Sequence, residues 1–356
     1  MNCITQYGPI NLDQNIQLFQ NDNSVEIDQK AVNWLKSMFK NHSDETIIKE
    51  AKRAIDELNV QNLFDELKDY SCKHFTDSDV VLNLRVINNT INIYQDDTNI
   101  VFNSMMSSVY MSFLLVQFYH SYVSDNYEEQ QKNKESDFCN KYILFIINEM
   151  CYGLFNLGVD YPDEKSLQIF WDKIKDIENI STIASDLFYA SITFALLHEM
   201  SHAYLRHDPY DKSVEKEIEA DKHAYSIFLN YYDDIKNNKF ASRFKEIISD
   251  YIYFAPIFLL DFYNLVFYTG RELCADNYNI DDSFFENTLK RKETIINLFE
   301  NCDADVDENI TYSVYNSFSD SIDLFVDFFV KYNKAGYFEK IKKANKEKGE
   351  KNNEQY

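Results

Sequence analysis

Glycine and proline are scarce, at 6 and 4 in a chain of 356 residues. Glycine supplies the left-handed conformations of tight turns and proline sets turn corners, so an all-β fold rich in hairpins would use more of both. Long helices are the simpler expectation, and the chain reads as mainly α. Cysteine is thin as well: Cys3, Cys72, Cys139, Cys151, Cys274 and Cys302 are scattered with no CxxC pair. Reduced thiols fit this better than a disulfide framework. Basic residues number 35 against 59 acidic ones, a formal net charge of −24. Such a surface repels phosphate backbones and anionic membranes, which argues against nucleic acid as a partner. No positively charged start leads into an apolar stretch at Met1 to Asn15, so no secretory signal is read and a cytoplasmic location is expected. The most apolar window, Tyr251 to Tyr268, contains Pro256, Asp261 and Asn264. A charge near the centre of a span is costly, so this window is expected to be a buried core helix, without stable membrane insertion.

Aromatic residues, by contrast, are plentiful, with 28 Phe and 26 Tyr in a chain that is 45% hydrophobic. The interior is therefore expected to be built largely from aromatic packing. Helical spacing runs through Ile47, Ala51, Ile55, Leu58, Leu63 and Leu67, and residues 1–75 read as an N-terminal helical region. Between Val80 and Asn103 the texture changes to β-branched runs punctuated by Asn88-Asn89 and by Asp96-Asp97-Thr98-Asn99. A small antiparallel sheet is predicted there, one edge of which can hold an extended peptide by main-chain pairing. Helical patterns return at Met105 to Val123, Ser136 to Leu157, Ala241 to Tyr268, Asp281 to Glu300 and Ser313 to Tyr332. Residues 76–340 read as one catalytic domain, and 341–356 as a Lys-, Glu- and Asn-rich flexible tail.

The chemistry concentrates in Ser191 to Phe228. Leu197-His198-Glu199-Met200-Ser201-His202 is an HExxH pattern, on a helix expected to open at Ser181 or Thr182 and to close at Asp208-Pro209. Residues four apart on a helix share a face, so His198 and His202 can aim two imidazole nitrogens at one point. Glu199 can reach a water bound there. Two histidines on a divalent metal, a nearby carboxylate and an open coordination position make a hydrolytic zinc site. One Zn2+ per chain is expected, on ligand type. Leu187, Ser191, Phe194 and Ala195 lie on or beside the same face, which makes the helix mostly buried.

A third protein ligand is needed, and Glu217 is the leading candidate, on a second helix capped by Ser213. Glu217, Asp221, Ala224 and Phe228 share one face, and small Ala220 lets this helix approach the first. Asp221 can then accept the N–H of a ligand histidine. Asp208 and His207 compete for the third position, and Glu219 with His223 forms another i, i+4 pair one register away. Glu199 is the expected general base, taking the proton of the attacking water and delivering it to the leaving amine. Tyr204, His207, His223 and Arg271 are the candidates for stabilising an oxyanion.

HEMSH followed fifteen residues later by EIEAD resembles the HExxH…ExxAD form of the gluzincin zinc peptidases. Within that class the chain looks most like the Lit-type phage-exclusion peptidases. It is less similar to the polytopic CAAX-prenyl-protease/HtpX group, and to the ImmA/IrrE group, which usually carries Asn where this chain has Asp221. The resemblance covers roughly Ile192 to Leu229. It implies a zincin-like helical domain with a small β element before the active-site helix. It also implies His198, His202 and Glu217 as metal ligands, Glu199 as catalytic residue and Asp221 behind the ligands. The function it implies is intracellular cleavage of a protein or peptide, in phage defence or regulated proteolysis, with room for an activating partner. The competing reading is a metal-stabilised regulatory or binding module without turnover.

Overall fold

The computed structural model describes residues 60–73, 82–87, 94–96, 99–126, 180–208, 213–242, 249–273 and 283–302, parts of 142–150 and 312–316, and a few isolated positions. The helical expectations before residue 60, most of those for 127–179 and the tail beyond 343 lie outside the described residues. Helix α1 is Val60–Ser71, followed by strands β1 Asn83–Ile87, β2 Tyr94–Asp96 and β3 Asn99–Asn103. Then come α2 Ser104–Asn126, α3 Ile180–Tyr204 and α4 Val214–Lys236. A 3-10 segment, Asp250–Phe254, leads straight into α5 Ala255–Leu273, and α6 is Ser283–Glu300. Among the described residues the protein is mainly helical with one small sheet, as the shortage of glycine and proline predicts.

The sheet has the order β1-β3-β2. Strands β2 and β3 pair antiparallel from Tyr94↔Val101 to Asp96↔Asn99, with Asp97 and Thr98 between the last pair. That is the expected hairpin. Strand β1 instead joins the other side of β3 in parallel, Asn83↔Asn99 through Ile87↔Asn103, so the sheet is mixed rather than wholly antiparallel. Six residues separate β1 from β2, more than a tight hairpin uses, so nothing local ties them together. Ile100 and Phe102, two apart on β3, are buried, and β2 and β3 pack on α3.

Helix α3 is the centre of the molecule. Eighteen of its 25 residues are buried, and it packs against α1, α2, α4, α5, the 3-10 segment, β2 and β3. A helix apolar all round is stable only when enclosed in this way. The predicted aromatic interior is most visible where α3 meets α4. The Phe194 ring stands edge-on to Tyr225 and Phe228, at 6.4 and 6.2 Å. Tyr225 stacks on Phe228 at 5.7 Å, and Phe228 meets Tyr232 at 4.9 Å. The buried hydroxyls are satisfied: Tyr225 donates to the Tyr253 carbonyl at 2.9 Å and Tyr232 to Thr193 at 3.3 Å. Helix α1 is tied to α4 by Tyr70 donating to Asp234 at 2.8 Å and Tyr231 donating to Glu66 at 2.6 Å.

Among the described residues two helical stretches, Ile180–Tyr204 and Asp250–Arg271, are long and apolar enough to cross a membrane, but 72% of each apolar window is buried inside the molecule. The second contains the apolar window read from sequence as a core helix, and every residue from Tyr251 to Leu260 is buried.

Candidate metal centre

The last turns of α3 carry His198 and His202 into contact with the first turns of α4. Ser213 takes the N-cap position of α4, as predicted, with extended backbone (φ −63, ψ 145). Glu217 and Asp221 follow, one turn apart. Ala220 and Ala224 beside them are fully buried and offer no bulk that would hold the two helices apart. Glu217 and Glu219 diverge, because two residues on a helix differ by about 200°. Glu217 faces the histidines, and Glu219 turns away to His207.

The donor atoms lie close together. His198 Nε2 is 3.1 Å from His202 Nε2 and 3.3 Å from Glu217 Oε2, and His202 Nε2 is 3.6 Å from Glu217 Oε1. Ligands about 2.0–2.1 Å from a tetrahedral ion stand about 3.3 Å from one another. The two nitrogens stand close to that value from one another, each has one Glu217 oxygen near it, and one donor atom from each residue lies within 4.8 Å of the other two. These residues therefore fit a small divalent ion with two nitrogen donors and one carboxylate. This is the three-donor group among the described residues. Asp208 is exposed and takes no part in it. Glu199, half-buried, follows His198 on the helix.

Behind the donors stands a charged layer. Asp221, fully buried, sets Oδ1 2.9 Å from His198 Nδ1, a short contact lying off the ring N–H axis. Arg291 of α6 forks onto Asp221 through Nε at 2.6 Å and Nη2 at 2.9 Å, and its Nη1 reaches Glu217 Oε2 at 3.0 Å. Sequence reasoning missed Arg291. The available signal was its spacing: it falls between Thr288 and Ile295, both on the buried face of α6. Burial opposes charge on His198, but the Asp221 carboxylate and the hydrogen bond to Glu217 outweigh it and push the imidazole up to about 10. His202 is drawn down to about 4 by burial and by the His198 charge. Glu217 stays well below the usual carboxylate range despite its burial, held there by His198 and the Arg291 guanidinium. Asp221 is likewise held low against burial by the charges of Arg291 and His198.

Helix α3 ends at Tyr204, short of the predicted break at Asp208-Pro209. Arg206 takes a left-handed conformation, φ 55. Its N–H bonds to the Ala203 carbonyl at 3.1 Å, and the His207 N–H bonds to the His202 carbonyl at 3.0 Å. These are the two bonds of a Schellman ending. The reversal lays the His207 ring against His202, Nδ1 to Nδ1 at 2.9 Å, while its Nε2 meets Glu219 Oε2 at 3.1 Å. His207 therefore meets the nitrogen of His202 that faces away from the donor cluster, and it is not the third ligand. The other oxyanion candidates are engaged elsewhere. The Tyr204 hydroxyl is 3.7 Å from Cys72 Sγ, His223 bonds Ser201 at 3.1 Å, and the Arg271 guanidinium lies over Tyr268 and Phe285.

The fold and this donor set define a helical protein with an HExxH-type candidate metal centre. The family model for Peptidase U49, the Lit-type peptidases, matches residues 103–264, just under half of the chain. The match runs from the end of β3 into α5 and includes all three donors, Glu199, His207 and Asp221, but not Arg291. It supports a peptidase, whose substrates are proteins or peptides. No curated protein and no solved structure matches the chain significantly.

Proposed function

We propose that the chain is a zinc-dependent endopeptidase of the cytoplasm, with one ion held by His198, His202 and Glu217. The observation that carries this is the convergence of one donor atom from each of the three residues, all within 4.8 Å of one another, with Glu199 following the first of them on α3. When bound, such an ion supplies Lewis acidity, easing the deprotonation of a water and polarising a carbonyl. Glu199 accepts the proton of the attacking water and delivers it to the leaving amine as the peptide bond breaks. The Asp221 carboxylate, 2.9 Å from His198 Nδ1, favours the proton on that nitrogen and so leaves the Nε2 lone pair facing the site. Arg291 holds Glu217 and Asp221 in place. Zinc is favoured over magnesium or calcium because two of the three donors are imidazole nitrogens. Phage defence is the biological setting that the Lit-type resemblance suggests, and regulated cleavage of a host protein is consistent with it.

Metal content is the first test. Wild type should carry about one zinc per chain, and Glu217→Ala should carry far less. Turnover is tested by labelling new protein N-termini in cells that express wild type or Glu199→Gln. Termini that appear only with wild type support the peptidase. A zinc-loaded wild type that generates none would leave the non-catalytic module as the better reading.

A further inference from the structure

The second ligand histidine has a partner that none of the expected roles accounts for. His207 is buried, its side chain 2% exposed, and two bonds fix it to a single residue. Its main-chain N–H bonds the His202 carbonyl at 3.0 Å, and its ring meets the His202 ring at 2.9 Å. The main-chain bond sets the register of the ring-to-ring bond. Five residues further along a continuing helix, His207 would lie about 140° around from His202. The left-handed Arg206 brings it back.

We propose that His207 is a positioning residue for the metal centre: its Nδ1 accepts the Nδ1–H of His202, leaving the His202 Nε2 lone pair facing His198 and Glu217, and its own Nε2–H is donated to Glu219. This inference rests on the metal reading above. One arrangement of protons satisfies both ring contacts of His207. His202 must carry its proton on Nδ1 if Nε2 is to be a donor to a cation. Nδ1 of His207 is then the acceptor and Nε2 of His207 the donor, and Nε2 lies 3.1 Å from Glu219 Oε2. Lys216 Nζ, 2.9 Å from the same oxygen, secures the far end of the relay. The two ligand histidines are thus held differently. His198 leans on a buried carboxylate that Arg291 neutralises. His202 leans on a second imidazole whose own carboxylate, Glu219, is 50% exposed. The relay therefore leads from the metal centre to solvent.

Zinc affinity of the full chain, measured by competition with a chromophoric chelator, tests this in wild type, His207→Ala and His207→Asn. An asparagine amide oxygen reaches about as far as a histidine Nδ1 and accepts the same proton. Loss of a residue behind a ligand histidine costs roughly 10–100-fold in metal affinity. His207→Ala should fall in that range and His207→Asn should recover most of the loss. The visible bands of the cobalt-loaded protein should shift in His207→Ala and return in His207→Asn, a change that loss of fold stability alone would not produce. If His207→Ala melts early, the asparagine variant carries the decision. An alanine variant that binds zinc like wild type overturns the relay and leaves the metal site standing. So does an asparagine variant as weak as alanine. A wild type that binds no zinc overturns the metal site and the relay together.

Discussion

Arg291 and Asp221, seventy residues apart, meet through two hydrogen bonds of 2.6 and 2.9 Å, with Asp221 wholly buried. The same guanidinium is 3.0 Å from Glu217 Oε2. Helix α6 contributes no donor to this group, yet its Arg291 holds both carboxylates that α4 turns toward His198. Planar and five-donor, the guanidinium can address two carboxylates at once, which an ammonium cannot do with the same geometry.

Replacing Arg291 by alanine would leave Asp221 buried and unpaired. Breaking a buried pair from one side costs about 3–5 kcal/mol. Because Arg291 is 19% exposed, the lower end, about 3 kcal/mol, is expected in urea unfolding. Zinc affinity should fall as well, since Glu217 loses its brace. Arg291→Lys keeps the charge but not the fork, and should fall between wild type and alanine in both measurements. An alanine variant that unfolds at the wild-type midpoint would show that the pair contributes nothing.

Glu199→Gln should separate binding from turnover. Glu199 is not one of the three donors, so zinc affinity should stay within about twofold of wild type. Removing a general base typically lowers the rate about 10²–10⁴-fold, and the loss should appear in kcat. If the variant instead loses its zinc, Glu199 is supporting the metal and another group is the base.

Much of this centre was legible because its parts lie close in sequence. His198 and His202 share a face by helical spacing alone, and the same arithmetic puts Glu217 with Asp221. Ser213 as cap and Ala220 as a small neighbour could also be read locally. Arg291 was harder: an arginine in a polar-looking helix has no signature of burial except its spacing relative to Thr288 and Ile295. His207 was read at its helical position, but the chain reverses before it, through a left-handed Arg206. Glycine is the residue that announces such an ending, and it is missing there. The parallel pairing of β1 with β3 was hidden for a related reason: strand propensity marks an extended segment without naming its partner.

Zinc binding should depend on pH through His198. Its folded pKa, pushed up to about 10 from 6.5, means that the fold holds the proton more tightly than the unfolded chain does. That contribution to stability is complete below about pH 6.5 and is lost as pH rises through 10. Metal and proton compete for the same nitrogen. Zinc affinity should therefore rise close to tenfold per pH unit from about pH 7 to 9 and level off above 10. His202, at about 4, adds nothing to this slope. In Asp221→Asn the charge that raises His198 is gone, so the slope should flatten. A wild-type affinity independent of pH over this range would show that His198 carries no proton there.

Ala220 tests whether the approach of the two helices sets the metal geometry. It is fully buried on α4, between Glu217 and Asp221 in sequence, on the helix that packs most extensively on α3. Leucine at this position must find room in a closed interface, and overpacking of that kind costs about 1–3 kcal/mol. If the strain is relieved by moving α4 outward, Glu217 moves with it and the donor separations open beyond the span of one ion. Ala220→Leu should therefore lose both melting temperature and zinc affinity. Ala220→Gly provides the contrast, since it costs about 1 kcal/mol of helix propensity but adds no volume, and should bind zinc nearly as well as wild type. Equal zinc affinities for the leucine and glycine variants would show that the donors are held by their own contacts, Arg291 chief among them, and that helix spacing is not what positions them.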